Sequence, residues 1–140
     1  MDIKIKRLHP EAKLPSYAHF GDVGLDLYCL ETFSLAPGEH RIIYHGFSLE
    51  FPEGYAGIIK DKSSIAKAGM KVMGGVYDAG FRGEYNTHLV NLGSETYTFS
   101  KGDKTSQLIL FPVARATIKE VDTLSESSRG EGKFGSTGKQ

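Results

Sequence analysis

Gly74-Gly75-Val76-Tyr77-Asp78-Ala79-Gly80-Phe81-Arg82-Gly83-Glu84-Tyr85 reads as a β-hairpin. Val76 and Tyr77 suit a strand, Ala79-Gly80 supplies a tight turn, and Tyr85 opens a second run that continues to Val90. Asp78 sets a carboxylate among glycines, which let backbone N–H and C=O groups approach a ligand that a Cβ would hold away. Phe81 offers a flat apolar face close by. On this stretch alone a plain surface hairpin, with Asp and Gly serving the turn, fits as well.

Outward from the hairpin the same period of two recurs. It runs through Ile3 to Leu8, Gly24 to Leu30, Arg41 to Phe51, Tyr55 to Lys60, Thr96 to Phe99, Gln107 to Val113 and Thr117 to Val121. Pro37-Gly38, Pro52-Glu53-Gly54, Leu92-Gly93-Ser94 and Lys101-Gly102-Asp103 punctuate the runs as turns. Many short strands at this spacing predict an all-β fold, a jelly-roll-like barrel or sandwich. One short helix is predicted over Ser64 to Ala68, with Ser63 as its cap and Gly69 as its stop. The β-barrel domain is expected over residues 1–124. Residues 125–140, with one large apolar side chain among the last twelve, cannot bury enough surface to fold alone and read as a flexible glycine-rich tail.

Composition narrows the function classes. Lys+Arg and Asp+Glu are both 17, so no overall field favours nucleic acid or an anionic membrane. Any anion must meet a local site. Cys29, the one cysteine, excludes an internal disulfide and a multi-cysteine zinc site and fits a reducing, cytoplasmic setting. The longest strongly apolar run, Leu108 to Ala114, is too short to span a membrane.

Four further constellations carry chemistry. Asp26, between Leu25 and Leu27 on a strand, takes the face opposite to theirs and is either a solvated carboxylate or an oxygen ligand, direct or through water, for a divalent cation. Lys62-Ser63-Ser64 at a helix start offers an ammonium, two hydroxyls and free N–H groups to an anion, or simply caps the helix. Gln107 enters a strand and can donate an amide N–H to an anion or stand exposed. In the tail, Arg129, Ser136 and Thr137 among glycines can wrap phosphates, and Phe134 can stack on a base. A P-loop is excluded, because Ser136 stands where its lysine is needed and no helix follows. Histidines 9, 19, 40, 45 and 88 lack metal-ligand spacing, and no nucleophile has an evident base partner.

Five segments in this order resemble the motifs of the trimeric dUTP diphosphatase family: Gly24-Leu25-Asp26-Leu27; Lys62-Ser63-Ser64-Ile65-Ala66; Gly75-Val76-Tyr77-Asp78 with Phe81-Arg82-Gly83; Gly102-Asp103-Lys104 with Gln107-Leu108; and Arg129-Gly130 with Phe134-Gly135-Ser136-Thr137-Gly138. The resemblance implies a dUTP substrate split into dUMP and pyrophosphate, limiting uracil in DNA and supplying dUMP for thymidylate synthesis. It implies that Asp78 activates the attacking water, that backbone at Gly75, Val76 and Tyr77 reads uracil, and that Phe81 lies under the deoxyribose. Lys62, Ser63, Ser64, Gln107, Arg129, Gly135, Ser136 and Thr137 would hold the phosphates, with Phe134 over the base. Asp26 would bind Mg²⁺ through water, and a homotrimer would share each site between subunits.

Lys62 departs from the family's usual arginine, Phe81 from tyrosine, Thr105-Ser106 from a more apolar pair, and Lys133 from glycine. The dCTP deaminase family shares the pattern of Asp78 to Gly83. There a glutamate is expected where this chain has His88, and the tail motif favours the diphosphatase. A non-catalytic nucleotide-binding module on the same scaffold is the other alternative.

Overall fold

Alternation along Asn86–Asn91 becomes a strand with Thr87, Leu89 and Asn91 buried and Asn86, His88 and Val90 half-buried. That pattern, repeated in short pieces, builds the structure, a computed structural model describing residues 1–135, 137 and 138. Its elements are β1 (Lys4–Arg7), β2 (Leu25–Tyr28), β3 (Phe33–Leu35), β4 (His40–Tyr44), β5 (Phe47–Glu50), β6 (Tyr55–Lys60), α1 (Ser63–Ala66), β7 (Met70–Met73), β8 (Val76–Tyr77), β9 (Asn86–Asn91), β10 (Tyr97–Phe99) and β11 (Lys104–Pro112). Two main sheets have the strand orders β2-β11-β6-β8 and β4-β9-β7, and β1-β5 and β10-β3 are two-stranded. Every ladder is antiparallel. The all-β, jelly-roll-like expectation holds, although the ladders do not close into a barrel.

Leu27, Phe47, Leu49, Leu89 and Leu108 are buried at the centre. Each such side chain contributes about 1.5–3 kcal/mol of hydrophobic stabilisation. Phe33 stacks on Phe99 with ring centroids 4.9 Å apart, so the small β10-β3 sheet is fastened to the core through its inward rings.

Several sequence expectations are corrected. The run Arg41 to Phe51 is two strands, because Gly46 turns the chain at φ +76 and a Cβ there would lie 2.8 Å from that of Ala12. β4 consequently pairs with β9 while β5 pairs with β1. The Gly74–Tyr85 stretch is not a two-strand ladder. β8 pairs with β6, β9 pairs with β4 and β7, and the turn between them links the two main sheets. Helix α1 covers Ser63–Ala66, and Lys62, not Ser63, occupies the cap position without a side-chain cap bond. Thr117 to Val121 forms no strand, since nothing among the described residues pairs with it and Ile118 stays 93% exposed. β3 and β7 were not expected; at three and four residues they are too short to show a period.

A polar chain crosses the core. His45 is fully buried, with Nδ1 2.8 Å from the Tyr28 carbonyl and Nε2 2.8 Å from Thr87 Oγ1. A carbonyl only accepts, so Nδ1 carries the proton and Nε2 accepts from Thr87. Thr87 Oγ1 lies 2.7 Å from Ser106 Oγ, and Ser106 lies 3.3 Å from Thr105 Oγ1.

Burial lowers the His45 pKa from 6.5 to about 4 against the opposing pull of the Tyr28 carbonyl. The unfolded chain therefore binds a proton in the window between those values that the folded protein refuses. The stabilisation is whole above pH 6.5 and is lost towards pH 4, a fall of about 3 kcal/mol. Urea melts at pH 7 and pH 4.5 should show a steeper loss for wild type than for His45→Asn, which keeps a polar side chain but cannot titrate. Equal losses in the two proteins would contradict this.

Candidate active site

β2 is buried along its whole length, so Asp26 is not on a solvated face as one sequence reading had it. The residue is 3% exposed, and its carboxylate is held between two ammonium groups: Lys62 Nζ at 2.9 Å from Oδ1 and Lys104 Nζ at 2.7 Å from Oδ2. Burial pushes the Asp26 carboxyl up, but Lys104 and Lys62 together outweigh it and hold the group below the usual carboxylate range. The same contact pushes the Lys104 ammonium up. Asp26 thus stays ionised and accepts only.

Gln107 lies opposite Asp26 in the β11–β2 register and opposite Lys60 on β6. Its Nε2 donates to the Asp61 carbonyl at 2.8 Å. Gly24 makes room for it: a Cβ at residue 24 would fall 1.9 Å from Gln107 Oε1. Asp61 anchors the approach to α1, accepting from Val72 N at 2.6 Å and from Lys71 Nζ at 2.7 Å. Ser63 and Ser64 follow, exposed at the helix start. Asp26, Lys62 and Gln107 are thereby gathered on one side of the β2-β11-β6 sheet.

Asp78 belongs to a second group. Phe81 N donates to the Asp78 carbonyl at 3.1 Å, closing the turn, and Arg82 Nη1 donates to the Ala79 carbonyl at 2.7 Å. The Asp78 side chain is exposed and makes no hydrogen bond among the described residues. With Ala79 and Gly80 it borders a cavity of about 350 Å³ also lined by Tyr55 and Arg115. Phe81 packs against Tyr77 and Tyr85 at 5.3 and 5.9 Å between centroids, and Tyr77 stacks on Tyr85 at 4.1 Å. Gly83 lets the Phe81 ring fold over, since a Cβ there would sit 2.5 Å from it. Tyr77 Oη ties the turn to β9 by donating to the Asn86 carbonyl and accepting from Asn86 N. Gly75 accepts from Ile59 N, and β8, carrying Val76 and Tyr77, is the outermost strand of its sheet.

The tail is a third group. Arg129 Nε donates to the Gly132 carbonyl, Phe134 is 96% exposed, and Gly135 accepts from Gly138 N around an exposed Thr137. Ser136 lies outside the described residues. Among those residues no hydrogen bond or ion pair joins the three groups. Sequence reasoning missed Lys104 and Asp61 as parts of the charge cluster. Lys104 could have been found as a cation at the start of the strand that carries Gln107, but Asp61 gave no signal.

No group of three or more His, Cys, Asp or Glu able to hold a metal occurs among the described residues. Asp26 offers one ionised carboxylate, which fits a Mg²⁺ that keeps most of its waters.

Two lysines on one carboxylate, one of them at the start of a helix that opens with two exposed serines, suit a phosphate chain, while the exposed Asp78 carboxylate in the turn that carries Phe81 suits a water. The class so defined is a jelly-roll nucleotide hydrolase. A family model described as dUTPase matches residues 10–138. A deoxyuridine 5'-triphosphate nucleotidohydrolase of Clostridium tetani is 44% identical, over 98% of this chain and 97% of its own length. One from Thermobifida fusca is also 44% identical, over 97% of this chain and 78% of its own. The solved dUTPase of Staphylococcus bacteriophage 80alpha with dUpNHpp superposes with a TM-score of 0.91 at 26% identity, covering 98% of each chain. The chain belongs to the dUTPase family.

Lys104→Met leaves Asp26 buried with one ammonium partner instead of two, so its pKa should rise. Stability that wild type holds above the ordinary carboxylate pKa, and loses as pH falls below it, should then be lost at higher pH. Carbon-13 titration of the Asp26 carboxyl measures this; an unmoved midpoint would show that Lys104 contributes no charge to the cluster.

Proposed function

We propose that the chain hydrolyses dUTP to dUMP and pyrophosphate, limiting uracil in DNA and supplying dUMP for thymidylate synthesis. The observation that carries this reading is the likeness, over nearly the whole chain, to enzymes bearing that name. The geometry supports it in detail.

Asp78 is exposed and its carboxylate is not engaged by protein donors, so it is available to hold a water. That water's oxygen bonds to the α-phosphorus, the bond from α-phosphorus to the bridging oxygen breaks, and the water's proton goes to the Asp78 carboxylate. Positioning in line contributes more here than base strength. Val76 and Tyr77 on the edge strand β8, with Gly75 beside them, present backbone groups to the uracil edge. Phe81, braced by Tyr77 and Tyr85, lies under the deoxyribose and leaves no room for a 2′-hydroxyl. Lys62, Ser63, Ser64 and Gln107 bind the phosphates. Mg²⁺, held by Asp26 through water, would supply charge neutralisation along the triphosphate. The incoming phosphates give both lysines an alternative anion and so release Asp26 oxygens.

The site is completed between subunits of a cytoplasmic homotrimer. Support comes from the three groups of one chain, which no hydrogen bond or ion pair joins among the described residues. It comes too from apolar surface that a lone subunit leaves bare: Ile42 and Tyr44 on β4, and Ile118, Val121 and Leu124 after the last strand. Residues 1–124 form the body. The tail, 125–140, closes the site of another subunit, with Phe134 over the base and Arg129, Gly135, Ser136 and Thr137 on the phosphates, excluding water.

Purified protein with Mg²⁺, offered dUTP, dCTP, dTTP and UTP separately, should convert dUTP alone, and Asp78→Asn should lose turnover by about two to four orders of magnitude while still binding nucleotide. Deamination of dCTP, or nucleotide binding with no turnover by wild type, would replace the reading. Co-folding Asp78→Asn with a variant cut after Ser128 should restore activity that neither has alone. A mixture as inactive as its parts would rule out shared sites.

A further inference from the structure

Strand β11 carries one residue more than β2 can match. Lys104 pairs with Tyr28 and Ser106 with Leu27, so Thr105 is the extra residue of a β-bulge. The bulge breaks the alternation of faces: Thr105 and Ser106, adjacent in sequence, are both fully buried, and Lys104 and Gln107 both turn to the Asp26 side. In a regular strand Lys104 and Gln107 would point to opposite faces.

The bulge is held from the core. Thr105 Oγ1 donates to the Leu27 carbonyl at 3.4 Å, and His45 Nδ1 donates to the Tyr28 carbonyl at 2.8 Å, so the two β2 carbonyls beside the interruption are bonded by side chains. Thr87 joins the two ends, donating to His45 Nε2 and accepting from Ser106. We propose that His45 and Thr87 are positioning residues for the phosphate end of the substrate: through Ser106 they lock the Thr105 bulge and so aim Lys104 and Gln107 at the Asp26 side. This rests on the dUTP reading above and extends it to residues that touch no ligand.

The consequence is selective. Loosening the bulge should weaken grip on the β- and γ-phosphates and spare the nucleoside, which the Asp78 turn holds. Binding of dUpNHpp and of dUMP, measured by titration calorimetry on the full chain, separates these. Thr87→Val keeps the shape but removes the hydroxyl, and should weaken dUpNHpp about tenfold with dUMP nearly unchanged. Thr87→Ser, which keeps the hydroxyl and loses a methyl, should retain the wild-type ratio of the two affinities. If Thr87→Val does not fold, Ser106→Ala breaks the same link from the other side and carries the same expectation. An unchanged ratio in Thr87→Val, or equal loss in the Val and Ser variants, overturns the positioning role while leaving the dUTP reading intact. Wild type that binds neither ligand overturns both.

Discussion

β11 is hydrogen-bonded along both edges, to β2 on one side and β6 on the other. A strand so placed cannot slip by one residue without turning every side chain to the wrong face. Leu108 is the visible result, fully buried opposite Leu25 and Ile59. The Thr105 bulge exploits this rigidity. One inserted residue, fixed by hydroxyls and an imidazole, changes the phase of Lys104 relative to Gln107 without disturbing the ladder beyond it. Both neighbours carry other parts of the charge cluster: β2 supplies Asp26, and β6 leads straight into Asp61 and Lys62. The arrangement therefore depends on two ladders and a bulge, all within the β2-β11-β6 part of the sheet.

Much of this was legible in the sequence, and the illegible part has physical reasons. Tyr55–Lys60 was read at its observed limits, because turn residues bound it and its period is clean. The cluster of Asp26, Lys62 and Gln107 was reached through motif resemblance, since nothing local in a strand tells which distant strand lies beside it. The ladder expected within Gly74–Tyr85 was a local inference defeated by tertiary pairing. Val76 and Tyr77 suit a strand, but β6 claims them, and Tyr85 turns inward to stack between Tyr77 and Phe47. Thr105 and Ser106 looked like polar intrusions where an apolar pair was expected. Their partners, His45 and Thr87, lie far off in the chain, and only the fold brings them together. Tyr85 remains costly by the same rule, for its buried hydroxyl finds no partner among the described residues and burial pushes its pKa up.

The apolar residues after Pro112 bear on the same question from outside. Val113, Ile118, Val121 and Leu124 are exposed in one chain, spaced along a segment without a ladder. A segment bearing this much apolar surface gains from covering it, and backbone free of ladder bonds is ready to pair with a strand edge. The trimer proposed above would meet both needs. Thr117 to Val121 thus shows that a period of two alone does not make a strand: without a paired edge the segment stays irregular and its apolar side chains stay exposed.

Lysine at position 62 can be understood from the charge cluster. An arginine there would present a planar fork that takes both oxygens of a carboxylate at once. Asp26 would then have nothing equivalent to offer Lys104. Lysine is a point charge on a flexible stem, and Lys62 takes Oδ1 alone while Lys104 takes Oδ2. Two ammonium groups on one carboxylate leave a surplus of one positive charge at Asp26. Each lysine makes a single contact to Asp26, so no bidentate pair forms there. Lysine at residue 62 forgoes the bidentate fork, and the bulge turns a second cation to the same side. The lysine and the bulge are therefore two parts of one arrangement.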